Sequence, residues 1–267
     1  MKKVTVLIPC YNEAEGIATV IGTLPREQMA AHGYQLDVLV IDNNSSDDTA
    51  AVAKAAGARV ITERQQGKGN AIRRGFASIP KDTKYVVMLD GDDTYKSREI
   101  LRLLEPLDSG FCNVVIGSRL GGRIADGSMT TFNRAGNWIF SHLVRYSYRV
   151  NVTDVLTGYF AWKRDVVVRL RPHLKSAGFA IEMEMITKMA RLGEDIYSVP
   201  ITYEARAGES SLHPVRDGWR ILRMYGHNIN WRPAGSPKPA TGLRVPQTVA
   251  RAGRYAAAFY DSIGNRR

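Results

Sequence analysis

Two acidic side chains separated by one glycine, Asp90-Gly91-Asp92, follow directly on the apolar run Tyr85-Val86-Val87-Met88-Leu89. In an extended segment residues i and i+2 point to the same side, about 6.5–7 Å apart along the chain, so the two carboxylates are aimed together. Hard oxygen donors with open positions suit Mg²⁺ or Mn²⁺, with a diphosphate supplying further ligands. Gly91 would let backbone and ligand approach closely. The bland alternative is a polar turn that ends a strand. Two further strand ends run into helix starts, Ile8-Pro9-Cys10-Tyr11-Asn12-Glu13 and Val40-Ile41-Asp42-Asn43-Asn44-Ser45-Ser46-Asp47. Open α/β sheets bind ligands at the carboxyl ends of their strands, so these segments are expected to face one crevice. No Gly-x-Gly-x-x-Gly follows the first strand and no P-loop signature occurs, which counts against dinucleotide and P-loop chemistry. Gly67-Lys68-Gly69 reads as a flexible loop carrying one basic side chain.

The elements that must position these groups alternate at short intervals, which predicts an α/β fold with a largely parallel central sheet flanked by helices. Apolar runs at residues 4–8, 36–41, 59–62, 85–89 and 113–116 read as strands, the continuous ones as strands covered on both faces. Asn12 with Glu15 forms a capping-box pattern before the helical face Ile17, Val20, Ile21 and Leu24, which Pro25 ends. Ser45 or Ser46 is expected to open a second helix, and residues 70–78 a third. Residues 121–128 look like a loop, 133–149 an aromatic and basic helix, 158–162 a strand, 181–192 a Met-rich helix, and 216–230 a further helix. Pro200 within residues 196–204 predicts an edge strand or a bulge. Residues 1–230 are expected to form one domain in two halves, 1–120 and 121–230. Residues 231–267 would be linker and tail, with a helix over 249–260.

The chain of 267 residues carries 37 Lys and Arg against 26 Asp and Glu, a formal charge of +11, so an anionic partner is expected. Its two cysteines exclude a disulfide scaffold and suit a reducing cytoplasm. No run approaches the roughly 20 apolar residues that span a bilayer. RNP-like, zinc-finger and helix-turn-helix signatures are missing, so nucleic acid is not an expected partner.

Pro9-x-Tyr11-Asn12-Glu13, Asp42-x-x-Ser45-x-Asp47-x-Thr49, Gly67-Lys68-Gly69-x-Ala71, Asp90-x-Asp92 and Gly117-Ser118-Arg119 together resemble the family 2 inverting glycosyltransferases of GT-A fold. Asn133-Arg134-Ala135-Gly136-Asn137, Asp154-x-x-Thr157-Gly158-x-Phe160, Glu182-Met183-Glu184-Met185, Val199-Pro200-Ile201 and Arg206-Ala207-Gly208-Glu209-Ser210 narrow the likeness to the dolichyl- or polyprenyl-phosphate sugar synthases. The resemblance implies transfer of a hexose from GDP-mannose or UDP-glucose to a polyprenyl phosphate, with inversion. It places Pro9, Tyr11, Glu13, Asp42, Lys68 and Gly91 on the donor, and Asp90 and Asp92 on the cation. Arg119, Arg134 and Arg206 would serve the donor and acceptor phosphates, and Asn137, Asp154, Glu184 and Ser210 the acceptor side. Three departures from the family pattern stand out: Asn43-Asn44 replaces Asp-Gly, Thr94 stands where a Gln is common, and Ser211 replaces a Lys.

An ionised lipid phosphate needs no strong general base, whereas a hydroxyl acceptor would, and Asp154 or Glu184 are then the candidates. Arg216, Arg220, Arg223 and His227, interleaved with Trp219, Leu222 and Tyr225, suit an anionic membrane surface at the cytoplasmic face. The rival readings are a soluble hydroxyl or phosphoglycerate acceptor, a basic nucleic-acid-binding domain, and a catalytically inactive relative.

Overall fold

The computed structural model describes residues 1–206 and 213–233. Met1–Arg232 fold as one compact unit. Seven strands form one sheet: β1 (Lys2–Cys10), β2 (Tyr34–Asp42), β3 (Arg59–Thr62), β4 (Tyr85–Met88), β5 (Val114–Ile124), β6 (Phe160–Lys163) and β7 (Ile196–Tyr203). Their order is β3-β2-β1-β4-β6-β5-β7. All pairs are parallel except those of β6, which runs against both β4 and β5. The sheet is thus mostly parallel, as the alternating pattern predicts.

The strands at 4–8, 36–41 and 85–89 are legible in sequence because helices cover both faces of a parallel sheet. Val4, Val6 and Ile8 enter one core and Leu7 the other, the alternation of a pleated strand. The face with Val4 packs against α1 (Ala14–Gly22), α3 (Thr49–Ala55) and α5 (Ile100–Asp108), through residues such as Ile17, Ala53 and Leu103. The opposite face meets α4 (Lys68–Ala77), α6 (Thr131–Tyr148), α7 (Arg164–Leu170), α8 (Ile181–Arg191) and α9 (Pro214–Ile229). Trp162 lies at the centre of that core, stacked on Phe160 at 5.1 Å and edge-on to Phe76 at 5.3 Å. A short helix, α2 (Arg26–Ala31), and α7 are not foreseen from the sequence pattern.

Other local expectations need correction. The residue that precedes α1 is Glu13, and no side chain caps the helix. Asn12 instead adopts a left-handed backbone (φ 54°) and accepts from Ser46 N–H at 2.9 Å, tying two strand-end loops together. α3 starts at Thr49, because the preceding serine and aspartate serve the neighbouring loop: Ser45 Oγ takes Asn12 N–H and Asp47 takes Ala14 N–H. Residues 121–124 are strand rather than loop. Gly121-Gly122 has the composition of a turn, but a Cβ on Gly122 would overlap Ile201's carbonyl, and the β5–β7 register slips between Ser118 and Arg123. The pair of glycines serves this irregularity. Pro200 lies on β7, the edge strand, where a missing N–H is tolerated.

Candidate active site

Asp90 and Asp92 sit just past the end of β4, between the ends of β1 and β6. The turn is enclosed by small residues. A Cβ on Gly91 would come within 2.6 Å of Cys10 Sγ, and one on Gly16 within 2.6 Å of the Gly91 carbonyl. One on Gly158 would run into the Asp90 carboxylate. Gly91 therefore serves close packing against β1, and Gly158 makes the room Asp90 occupies. Asp92 Oδ1 accepts from Thr94 N–H (3.1 Å) and Thr94 Oγ1 (2.7 Å), so Thr94 orients the second acid.

Lys68 donates to both Asp90 oxygens, at 2.8 and 3.0 Å, and to Glu182 at 2.9 Å. Burial would lower the Lys68 pKa, but the two carboxylates overcome it and hold the amine firmly protonated. Burial raises the Glu182 carboxyl and the Lys68 charge only partly offsets this. Gly67-Lys68-Gly69 is not a flexible loop: it opens α4 and is clamped on residues 176–177. Gly69 N–H donates to Ala177's carbonyl at 2.8 Å, and a Cβ on Gly69 would overlap that of Ser176. Residues 175–176 are fixed in turn by Glu184, whose carboxylate accepts from Lys175 N–H, Ser176 N–H and Lys188. Glu184, only 1% exposed, is thus an anchor and not an available base.

Arg206, three residues past β7, reaches back to the same turn. Its Nε and Nη2 both address Asp92 Oδ2, the former at 2.6 Å, and Nη2 lies 3.4 Å from Glu13. Burial and the Asp92 charge push the Glu13 carboxyl up to about 8 despite Arg206. Arg119 is held more rigidly. Asp154, fully buried, accepts from the Arg119 backbone N–H, Nε and Nη2, all at 2.8 Å, and from Asn137 Nδ2 at 2.6 Å. Those four donors fill the carboxylate's acceptor positions. Burial would raise the Asp154 carboxyl, but the Arg119 charge and these bonds outweigh it and hold it below the ordinary range. Asp154 is therefore a positioning group for Arg119, and Asn137 braces it.

Pro9, Tyr11, Glu13, Lys68, Asp90, Asp92, Arg119, Asn137 and Arg206 all line one cavity of about 910 Å³. Asp42 is buried beside it, its carboxylate accepting from Ser45 N–H at 3.2 Å. Arg134 is exposed on α6 and does not join that lining. Ser210, with the rest of Gly208-Glu209-Ser210-Ser211, lies outside the described residues, as does the segment 249–260. Sequence reasoning passes over Asn43 and Glu182 as working residues. Asn43 Nδ2 donates to the carbonyls of Glu63 (3.2 Å) and Gln65 (2.7 Å), while its Oδ1 accepts from Gly67 N–H (2.7 Å). A carboxylate could not donate those two bonds, so the amide of Asn43 is what lets this side chain tie the loop. Asn44 takes φ 61°, the left-handed backbone a glycine would supply.

The cavity's other side is apolar. Phe132 and Phe140 of α6 and Val215, Trp219 and Leu222 of α9 line it. Trp219 is 69% exposed and Val215 79%, with Trp138 and Tyr146 also open on α6. Arg216, Arg220 and Arg223 are exposed around them. Among the described residues no helix is long and apolar enough to cross a membrane.

A divalent cation fits the polar end. Asp90 and Asp92 already hold cationic side chains there, so the donor set suits positive charge. No group of three His, Cys, Asp or Glu residues could close around a metal among the described residues. Two carboxylates plus substrate phosphates are the usual provision for Mg²⁺.

Residues 5–170 match the family described as Glycosyl transferase family 2. Glycosyltransferase AglJ of Haloferax volcanii is 37% identical over 259 residues, covering 92% of this chain and 81% of the relative. A dolichyl-phosphate hexose transferase of the same organism is 32% identical over 218 residues, 81% of this chain and 89% of the relative. Among solved structures, glucosyl-3-phosphoglycerate synthase from Mycobacterium tuberculosis, in complex with Mn²⁺, UDP-glucose and phosphoglyceric acid, matches with a TM-score of 0.66. That likeness covers 94% of this chain and 92% of the other at 22% identity, and is one of fold.

Proposed function

Given that the chain belongs to glycosyl transferase family 2 and has its GT-A fold, we propose that it moves a hexose from a nucleoside diphosphate sugar to a polyprenyl phosphate, with inversion, at a membrane surface. One observation carries this reading: a single cavity has a carboxylate pair and basic groups at one end and the exposed aromatic faces of α6 and α9 at the other. Such a cavity suits two substrates that both carry phosphate, one of which also carries a hydrocarbon chain.

In this reading residues 1–120 take the donor. Pro9, Tyr11 and Asn43 border the nucleoside, with Asp42 supporting the loop beside it. Mg²⁺ or Mn²⁺ held by Asp90 and Asp92 would neutralise diphosphate oxygens as the nucleoside diphosphate leaves. Lys68 fixes the orientation of Asp90, and Arg206 is close enough to offer its guanidinium fork to phosphate oxygens. Residues 121–230 take the acceptor. Asp154 and Glu184 are both committed to structural bonds, so neither is placed to deprotonate a hydroxyl. An acceptor that arrives ionised needs no such base, and a phosphate meets that requirement. Trp219, Val215 and the arginines of α9 would rest on an anionic cytoplasmic leaflet in which the lipid is embedded.

The test is transfer from radiolabelled GDP-mannose and UDP-glucose, with Mn²⁺, to polyprenyl phosphate in detergent, with 3-phosphoglycerate and simple sugars as parallel acceptors. A lipid-extractable product is expected from one donor. Turnover only with the water-soluble acceptors would remove the lipid assignment, and no transfer at all would remove the activity.

A further inference from the structure

The two metal-site carboxylates are neutralised in different ways. Lys68 uses one acceptor position on each Asp90 oxygen and shares its charge with Glu182. A carboxylate offers about four such positions, so Asp90 keeps two in hand. Asp92 keeps none: Thr94 fills Oδ1 with its N–H and Oγ1, and Arg206 fills Oδ2 with Nε and Nη2. The two cations also differ in their anchorage. Lys68 stands on the first residue of α4, locked to residues 176–177 through Gly67 and Gly69. Arg206 lies beyond the last residue of β7, and its guanidinium bonds to Asp92 and Glu13.

From this we infer that Arg206 is a stand-in for the metal ion on Asp92, which leaves Oδ2 when the cation arrives and is received by the donor's diphosphate. The inference rests on the donor reading above and adds to it a coupling between two ligands. A cation alone must break the Arg206–Asp92 pair and part a half-buried guanidinium from its nearest carboxylate, which is unfavourable. A diphosphate arriving with the cation offers that guanidinium new oxygens, so each ligand tightens the other, by the same factor in both directions. Asp90, Asp92 and Glu182 gather at this end of the cavity around Lys68 and Arg206, so an added divalent ion is electrostatically welcome once Asp92 is released.

The experiment is Mn²⁺ binding to the full chain, followed by the electron paramagnetic resonance signal of free Mn²⁺, alone and with saturating UDP or GDP. For the wild-type protein one nucleotide should tighten Mn²⁺ binding by about tenfold or more, within the usual range of coupling. Arg206→Gln should bind Mn²⁺ alone several-fold more tightly than wild type, and the nucleotide's effect should shrink to about twofold. Arg206→Lys, which keeps a cation beside Asp92, should stay near wild type for Mn²⁺ alone. If Arg206→Gln binds Mn²⁺ no better than wild type while nucleotide and Mn²⁺ both bind, the exchange is wrong and the donor reading stands. A crystal structure with Mn²⁺ and nucleotide that still shows Arg206 on Asp92 Oδ2 overturns the exchange in the same way. If wild type binds neither Mn²⁺ nor nucleotide, both ideas fall together.

Discussion

The two ends of the cavity are built on opposite terms. At the strand ends the charged and polar groups have partners within the fold: Lys68 has two carboxylates, Arg119 a bidentate one, and Asn43 three backbone groups. At the α6–α9 rim, large apolar side chains stand in solvent beside exposed arginines. The polar end is held in shape by internal bonds before any substrate binds, which is how charge-stabilising sites avoid reorganisation during reaction. At the rim Arg220 pairs with Asp217, but the large apolar side chains stay exposed among the described residues, and such a face gains by meeting an apolar surface. Substitutions at the first should therefore disturb folding or chemistry, and those at the second should disturb attachment alone.

The largest effect is expected from Asp92→Asn, a loss of about 100- to 1,000-fold in kcat for sugar transfer. Unchanged turnover under saturating Mn²⁺ would dissolve the distinction between the two ends. Asp154→Ala removes the partner of a buried guanidinium and should cost about 3–5 kcal/mol in urea unfolding. The same carboxylate has a folded pKa below its unfolded value of about 4, so its contribution is present above that pH and is lost as pH falls through the folded value. Asp154→Asn should flatten that acid limb of the stability profile, and an unaltered limb would count against the Arg119 pairing. Asn43→Asp takes two donors from the loop at 63–67 and should destabilise by about 1–3 kcal/mol while raising KM for the donor. Trp219→Ala should move the unfolding free energy by no more than about 0.5 kcal/mol. Arg216→Glu should weaken sedimentation with anionic vesicles by at least about fivefold, from roughly 1 kcal/mol for the lost attraction. Vesicle binding that ignores both changes would show that the rim serves something other than a membrane.

The fold is legible in the sequence where burial is two-sided. β1, β2 and β4 announce themselves through the apolar runs at 4–8, 36–41 and 85–89, broken only by Thr5 and Asp37, because both faces meet helices. The carboxylate pair is equally plain, since Asp90 and Asp92 need only a strand end to be brought together. What escapes depends on long-range partners. Glu182 and Glu184 are two residues apart on α8, and a helix turns about 200° over that interval, so they face opposite ways. One reaches Lys68 and the other reaches the backbone at 175–176, and nothing in the local pattern says which. Asn12 carries a capping-box pattern, yet its side chain is used by Ser46 on the neighbouring loop. Gly121-Gly122 looks like a turn until β7 is laid beside it.

The clamp from Glu184 through residues 175–177 to the start of α4 has a practical meaning for reading variants. Glu184 has no place on the cavity wall, yet loosening it would let Lys68 drift from Asp90. A collection of impaired sequences would then show lesions on α8 that mimic damage to the acidic pair itself, and a map drawn by distance from the sugar would misfile them as remote.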